Sequence, residues 1–327
     1  MTTNIPKYAF FNNQIVPFNE AKISVMTHAF NYGTGVFEGI RAYWNEDERQ
    51  LYVFQLRAHY ERFLQSCKTL LIALPYSAAE LSAITLDLLR AEANQTDTYI
   101  RPLAYKSSEL IGVRLHNLTD ALTIFAVPFG KYLEAEGGCR VAVSSWRRVD
   151  DNAIPARAKI VGAYVNSALA KTEAQLNGFD EALMLTQDGH VSEGSAENFW
   201  MIKHGRAITP PVTDNILEGI TRAVVRELLQ SEMGIEVVER TIDRTELYSA
   251  DEMFFCGTGV EISLISEVDR RAVGAGGVGP IGARLRQLYN DAVRGKLAQY
   301  KPWCAPVYPQ TSATMPKLER KVEVVGD

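Results

Sequence analysis

The sequence predicts an α+β fold divided into two domains, and three observations carry that prediction. Hairpin-like segments come first, two helical stretches follow and further strands come after them, an order unlike the regular strand–helix alternation of a doubly wound parallel sheet. The chain has 327 residues, enough for two domains of ordinary size. Pro128-Phe129-Gly130 opens a break that ends near Gly137-Gly138, and a second patterned block begins at Arg140. The expected division is an N-terminal domain over residues 1–128, a linker over 129–139 and a C-terminal domain over 140–327, with no sequence repeat across it.

Each element has its own signal. Residues 8–18 alternate in polarity around Asn12-Asn13-Gln14 and read as a hairpin. A second hairpin is expected between residues 36–43 and 51–54, across the charged and solvated turn Asn45-Glu46-Asp47-Glu48. Residues 57–71 and 77–94 have helical periodicity, with Pro75 between them. Residues 98–105 and 121–127 read as buried strands. Further on, Leu217-Glu218-Gly219-Ile220-Thr221-Arg222 opens an amphipathic helix whose Ile220, Val224, Val225, Leu228 and Leu229 share a face. The tail from Tyr300 carries four prolines and reads as an irregular extension.

Composition excludes several classes of function. Hydrophobic residues make up 46% of the chain, which suffices to bury substantial cores. The net charge of −5 leaves no basic stripe for nucleic acid and no basic amphipathic segment for a membrane surface. No apolar run approaches the roughly 20 residues that span a bilayer. The first seven residues lack the apolar core of a signal peptide, so a cytoplasmic protein is expected. The scattered Cys67, Cys139, Cys256 and Cys304 fit reduced thiols rather than a disulfide framework. The five histidines show no ligand spacing, and no metal site is expected.

Gly274-Ala275-Gly276-Gly277-Val278-Gly279 matches the dinucleotide fingerprint G-x-G-x-x-G letter for letter. The fingerprint also needs a strand before it, a helix after it and an acidic residue about 20 positions on. The preceding strand is short and polar, Gln299 stands where the acid is required, and too little chain remains for a dinucleotide domain. The segment reads as a glycine-rich turn.

Lys159, in Ala156-Arg157-Ala158-Lys159-Ile160-Val161-Gly162-Ala163-Tyr164, and Glu193, in Val191-Ser192-Glu193-Gly194-Ser195-Ala196-Glu197-Asn198-Phe199-Trp200, suggest a chemistry together. An amine that forms a Schiff base with an aldehyde, and a carboxylate that keeps a pyridine nitrogen protonated, are what a pyridoxal phosphate enzyme requires. Either residue alone is most simply a surface charge. A phosphorylated cofactor also needs an anion site, and helix N-termini supply one. Gly219-Ile220-Thr221 at a helix start and the turn Cys256-Gly257-Thr258-Gly259 after an apolar run are candidates.

With these segments in view, the chain resembles the branched-chain amino acid aminotransferases, in the fold type IV class of pyridoxal phosphate enzymes, from about residue 7 to about residue 300. The resemblance is carried in order by His28-Ala29-Phe30-Asn31-Tyr32-Gly33-Thr34-Gly35-Val36-Phe37-Glu38-Gly39-Ile40-Arg41, Tyr99-Ile100-Arg101-Pro102-Leu103, Lys159 with Tyr164, Ser192-Glu193-Gly194 with Glu197-Asn198, Gly219-Ile220-Thr221-Arg222 and Gly257-Thr258. It implies a smaller N-terminal domain and a larger C-terminal domain with an antiparallel, barrel-like sheet. It also implies transfer of the amino group of leucine, isoleucine or valine to 2-oxoglutarate.

Residue roles follow from the resemblance. Lys159 would be the Schiff-base lysine and the acid/base. Glu193 would pair with the pyridinium nitrogen, and Tyr164 would bond the ring oxygen. Arg57, Ile220, Thr221 and Thr258 would hold the phosphate. Tyr99 and the Thr258-Gly259 backbone would hold the α-carboxylate. Tyr32, Phe37, Phe129 and Tyr132 would wall an apolar pocket, and Arg101 would receive the second carboxylate of glutamate. Two departures touch this set: Phe129 stands where tryptophan is expected, and Ala163 replaces an asparagine. In the family, the region of residues 107–117 closes the pocket of a neighbouring subunit, so a homodimer is the minimum expected, and Arg114 would bring a second cation near the substrate. The alternatives on the same scaffold are an R-selective amine transaminase, a D-amino acid transaminase and an aminodeoxychorismate lyase; a non-catalytic protein is the alternative of a different class.

Overall fold

The computed structural model of the chain describes residues 5–130 and 137–309. Its N-terminal hairpin joins β1 (Tyr8–Phe11) to β2 (Gln14–Pro17), with Phe11 opposite Gln14. Asn12 and Asn13 take φ of 49° and 62°, the left-handed pair required by a two-residue turn between twisted strands. The short helix α1 (His28–Tyr32) leads into β3 (Gly35–Phe37), β4 (Ile40–Asn45) and β5 (Gln50–Phe54). Helices α2 (Leu56–Thr69) and α3 (Ala78–Glu92) precede β6 (Thr98–Lys106) and β7 (Asp120–Pro128). Helix α3 starts where Ser77 and Glu80 cap each other's backbone N–H groups.

The strand expected over residues 36–43 is interrupted. β3 pairs with β6, β4 pairs with both β5 and β6, and Glu38-Gly39 lies between them. The Glu38 N–H donates to Pro102 O (3.0 Å), so the chain stays against β6 while its side chain leaves the sheet for α2.

The C-terminal half supplies β8 (Cys139–Arg147), α4 (Tyr164–Leu176), β9 (Glu181–Leu185), β10 (Val191–Gly194), β11 (Asn198–Lys203), β12 (Arg206–Thr209) and α5 (Ile220–Ser231). Then come β13 (Val237–Glu239), β14 (Glu252–Gly257), β15 (Glu261–Val268), β16 (Arg271–Ala272), α6 (Pro280–Val293) and β17 (Cys304–Pro306). Strands β10-β9-β8-β15-β14-β11-β12-β13 form the second sheet, with β16 on β15. It is mixed: β8 runs parallel to β9 and β15, and β12 to β13, while the other pairs are antiparallel. The first sheet is antiparallel throughout, in the order β17-β5-β4-β6-β7-β1-β2 with β3 on β6. The tail expected to be irregular thus sends β17 back to the edge of the first sheet, against β5.

Alternation explains the apolar runs in the second sheet. Phe199 and Met201 of β11, with Met253 and Phe255 of β14, enter one core; Trp200, Ile202, Phe254 and Cys256 enter the core under α5 and α6. With both faces buried, the strands read as continuous hydrophobic segments. No helix among the described residues is long and apolar enough to cross a membrane.

The glycine-rich segment 274–279 is a turn between β16 and α6, and the α6 N-terminus is already filled. The Glu252 carboxylate accepts the N–H groups of Ile281 (3.0 Å) and Gly282 (2.7 Å). We predict that Glu252→Ala lowers unfolding stability by about 1–3 kcal/mol, the cost of stranding charge-assisted, partly buried donors. A chemical-denaturation shift below about 0.5 kcal/mol would show that this cap contributes nothing of note.

Candidate active site

A cavity of about 280 Å³ lies where the two sheets meet, and Lys159 enters it from the segment ahead of α4. The Lys159 backbone is held on both sides: its N–H donates to Ser66 Oγ of α2 (3.2 Å), and its carbonyl accepts from Phe37 N of β3 (3.0 Å). The Nζ donates to Tyr164 OH at 2.7 Å and lies 5.1 Å from the centre of the Phe37 ring. The Phe37 ring meets the Tyr164 ring edge-on at 4.8 Å. Among the described residues, no carboxylate is ion-paired with Lys159.

Glu193 lines another wall, 4% exposed. Its carboxylate pairs with Arg148 (2.7 Å) and accepts from Asn198 Nδ2 (3.0 Å) and Leu217 N (3.1 Å). Burial raises its pKa from the ordinary glutamate value, against the pull of Arg148, the Leu217 N–H and Lys159. Glu197, also buried and lining the cavity, is pushed up to about 8, chiefly by burial and then by the nearby Glu181. Glu181 is itself ion-paired with Lys171.

Helix α5 points its N-terminus at the cavity. Its first residues Ile220 and Thr221 line it, and among the described residues no side chain caps the helix start. The N-cap Gly219 is required by close approach, because a Cβ there would stand 1.9 Å from Asn198 Oδ1. Thr258 and Gly259, in the turn between β14 and β15, line the same cavity. The result is an open helix end beside a small-residue turn, suited to an anion.

The expected phosphate arginine needs correction. The Arg57 side chain is 82% exposed and pairs with Glu61 one turn on (2.8 Å), away from the cavity. Arg62 lines the cavity instead. The phase of α2 explains the difference. His59, Tyr60, Phe63 and Ser66 form its buried face, Arg62 borders that face, and Arg57 and Glu61 lie on the solvent side. Arg62 bonds Glu38 through Nε (2.7 Å) and Nη2 (2.8 Å), and its Nη1 donates to Glu218 O (2.9 Å).

Phe37, Tyr99, Arg101 and Phe129 line the remaining wall. Arg101 donates to Tyr99 OH (2.7 Å), stacks 4.4 Å over Phe37 and has a buried Nε with no partner among the described residues. Phe129 packs on Tyr99 at 5.2 Å. Tyr32 does not line this cavity. It packs on His28 and accepts the Gly112 N–H (3.2 Å), tying α1 to the 107–117 segment. Tyr132 lies outside the described residues.

Comparison with known proteins bears directly on this arrangement. The family model for amino-transferase class IV matches residues 35–268, most of the chain and all the lining strands and helices. The chain belongs to the class IV aminotransferase family. It is 52% identical over 301 residues to a probable branched-chain-amino-acid aminotransferase of Aquifex aeolicus, covering 92% of this chain and 97% of that one. The structure of a branched-chain aminotransferase from Thermoproteus uzoniensis with norvaline superposes with a TM-score of 0.88 at 45% identity, covering 93% of this chain and all of that one. The branched-chain amino acid aminotransferase from Thermobaculum terrenum, in its PLP-bound holo-form, gives a TM-score of 0.90 at 38% identity, covering 94% of this chain and 100% of that one.

Within this class IV aminotransferase, the charged and amide-bearing residues at the site with no assigned role in the sequence are Arg148, Glu197, Asn198 and Arg62. Asn198 and Glu197 sit in the motif that carries Glu193, and the helical phase of α2 is a signal that could have separated Arg62 from Arg57. Arg148 had no local signal, since its role depends on a carboxylate brought from β10. Glu197 supplies a pH test. A carboxyl raised from 4.5 to about 8 binds more protons folded than unfolded between those values, so stability falls as pH rises through them. Relative to the parent, Glu197→Gln should therefore gain thermal stability progressively from about pH 5 to pH 8. A parent-minus-variant difference in Tm that stays flat with pH would remove Glu197 from this role.

Proposed function

We propose that the chain transfers the amino group of branched-chain L-amino acids (leucine, isoleucine and valine) to 2-oxoglutarate, with pyridoxal phosphate held in the cavity. The observation that carries the reading is the joining of Lys159, Tyr164 and Glu193 around one cavity with an open helix N-terminus at one side and an aromatic, arginine-bearing wall at another. The names of the relatives support the substrate class. The donor set fits the cofactor: a primary amine beside a phenol, a buried carboxylate, and backbone N–H groups with Arg62 for the phosphate.

When bound, pyridoxal phosphate supplies the aldehyde that takes up amino nitrogen and the ring that accepts electrons from the reacting carbon. Arg62, Ile220, Thr221 and Thr258 bind the phosphate, Tyr164 the ring oxygen and Glu193 the ring nitrogen. Lys159 Nζ takes the α-proton of the incoming amino acid and returns a proton to the outgoing one. Tyr99 and the Thr258-Gly259 backbone orient the α-carboxylate. Phe37 and Phe129 exclude water and meet an aliphatic side chain, while Arg101 meets the second carboxylate of glutamate.

We also propose a homodimer. Val25, Phe30, Ile111 and Val113 are 78%, 69%, 71% and 89% exposed, and α1 and the 107–117 segment that carry most of them are held together by His28, whose Nε2 contacts Gly112 O (2.9 Å). Such an apolar surface fits a second copy, with Tyr32 at its edge, which sedimentation measures directly. Four buried free cysteines accord with a reducing, cytoplasmic setting. The proposed division of the chain at 129–139 is supported by the separation of its strands into two sheets, with β17 (Cys304–Pro306) paired to the first.

The visible spectrum tests the reading. The holoenzyme should lose its cofactor–lysine band with L-leucine and keep it with D-leucine and an R-amine, and Lys159→Ala should lack both band and turnover. Bleaching by D-leucine or the R-amine alone would assign the protein to a D-amino acid or amine transaminase, and turnover by Lys159→Ala would remove the lysine from the chemistry. Arg101→Ala should lower kcat/KM for glutamate about tenfold or more beyond any loss for leucine, the effect of one charge-assisted contact. Equal losses for the two substrates would end its proposed role.

A further inference from the structure

Glu38 lies in the break between β3 and β4, fully buried, at the centre of three bonds to α2. Its carboxylate accepts from His59 Nδ1 (2.8 Å), Arg62 Nε (2.7 Å) and Arg62 Nη2 (2.8 Å). Burial alone would push the Glu38 pKa up, but Arg62 and His59 outweigh it and hold the carboxyl far below its usual range. Burial pushes the His59 pKa down, so the ring is neutral near pH 7. An ionised carboxylate only accepts, so His59 carries its proton on Nδ1 and its Nε2 is an acceptor. His59 also borders a narrow crevice behind Ile220, Thr221 and Thr258.

The neighbours of Glu38 in sequence take the opposite direction. Phe37 and Gly39 both line the cavity. A Cβ on Gly39 would stand 2.5 Å from Tyr99 OH, so the bare glycine lets Tyr99 close onto the strand. Three consecutive residues therefore address two ends of one site: Phe37 and Gly39 the substrate wall, and Glu38 the helix that carries Arg62. With Nε and one Nη2 hydrogen on Glu38 and one Nη1 hydrogen on Glu218 O, the guanidinium has a fixed plane and N–H groups left over for an anion.

We propose that Glu38 is a positioning residue for the cofactor phosphate, acting through Arg62 and His59 to fix the anchor's geometry relative to the substrate wall. This rests on reading the cavity as the pyridoxal phosphate site with Arg62 at the phosphate. A guanidinium released from Glu38 keeps its charge but loses its orientation, so the effect belongs to phosphate recognition rather than to the aldehyde or ring.

The test is titration of the full-length apoprotein with pyridoxal phosphate and, separately, with pyridoxal, for the parent, Glu38→Gln, Arg62→Gln and the double variant. Glu38→Gln should raise the Kd for pyridoxal phosphate about tenfold to a hundredfold, the range of one or two charge-assisted bonds, and leave pyridoxal binding within about twofold. The bound-phosphate ³¹P resonance should move toward that of the free cofactor. The double variant should bind pyridoxal phosphate no more weakly than Arg62→Gln alone. Equal weakening of both ligands by Glu38→Gln would make its role merely structural and overturn the proposal, as would an unchanged Kd for pyridoxal phosphate alongside a raised one in Arg62→Gln. Should Glu38→Gln fail to fold, the double variant, which strands no buried charge, carries the test against Arg62→Gln; weaker pyridoxal phosphate binding by the double variant than by Arg62→Gln would overturn the proposal. An Arg62→Gln variant with parental affinity would instead refute the phosphate anchor on which the proposal stands.

Discussion

A carboxylate taken out of water must be answered by donors, and meeting that demand at Glu193 organises much of the site. The answers come from three parts of the chain: Arg148 after β8, Asn198 at the start of β11 and the Leu217 N–H ahead of α5. Asn198 also donates to Leu217 O (2.9 Å), so the loop before α5 is clamped as both donor and acceptor. Gly219 then passes against Asn198 because it has no Cβ, and the open helix end is set against the sheet. Removing one partner of such a buried ion pair typically costs about 3–5 kcal/mol, so the carboxylate and the helix position are maintained together.

The cations around the cavity fall into two groups. Arg148 is committed to Glu193 and Arg62 to Glu38, each by short bonds to a buried carboxylate. Lys159 and Arg101, among the described residues, have no carboxylate partner; one bonds the Tyr164 hydroxyl and the other the Tyr99 hydroxyl, and both lie over the Phe37 ring. A paired cation is fixed in place by its partner, whereas a cation held only by phenols and a ring face can meet a new anion or move a proton without breaking an ion pair. The residues assigned to substrate are the uncommitted ones. Phe37 serves both as the ring under two cations, and its placement depends on the interrupted strand that also carries Glu38.

The parts legible in the sequence were those with local causes. Asn12-Asn13 marked its hairpin through the left-handed φ its turn requires, and the apolar run before the Cys256-Gly257-Thr258-Gly259 turn is a strand buried on both faces. Lys159, Tyr164 and Glu193 were legible as a set because several motifs stood in order. The parts that were not legible depend on partners distant in sequence or, on α2, on the phase of one helix. The three residues of β17 carry no signal that they return to β5. Arg57 and Arg62 are both arginines of one helix, and only the phase of its buried face separates them. Tyr32 bears on this chain's own cavity only indirectly, since its contacts are to His28 and Gly112 on the exposed apolar side.

The rejected glycine motif and the accepted helix start show why a motif alone does not define an anion site. Gly219 and Gly279 both stand at N-caps in extended backbone, and both helices begin without a side-chain cap from the N-cap residue itself. What separates them is the occupant. At α6 the Glu252 carboxylate, from the start of β14, reaches the free N–H groups and neutralises the helix end. At α5 no carboxylate bonds the first-turn N–H groups among the described residues; Glu193 stops one segment earlier, at Leu217 N, and the cavity lies beyond. A helix N-terminus binds a ligand anion when the fold withholds its own, and that depends on where a distant strand places one acidic residue.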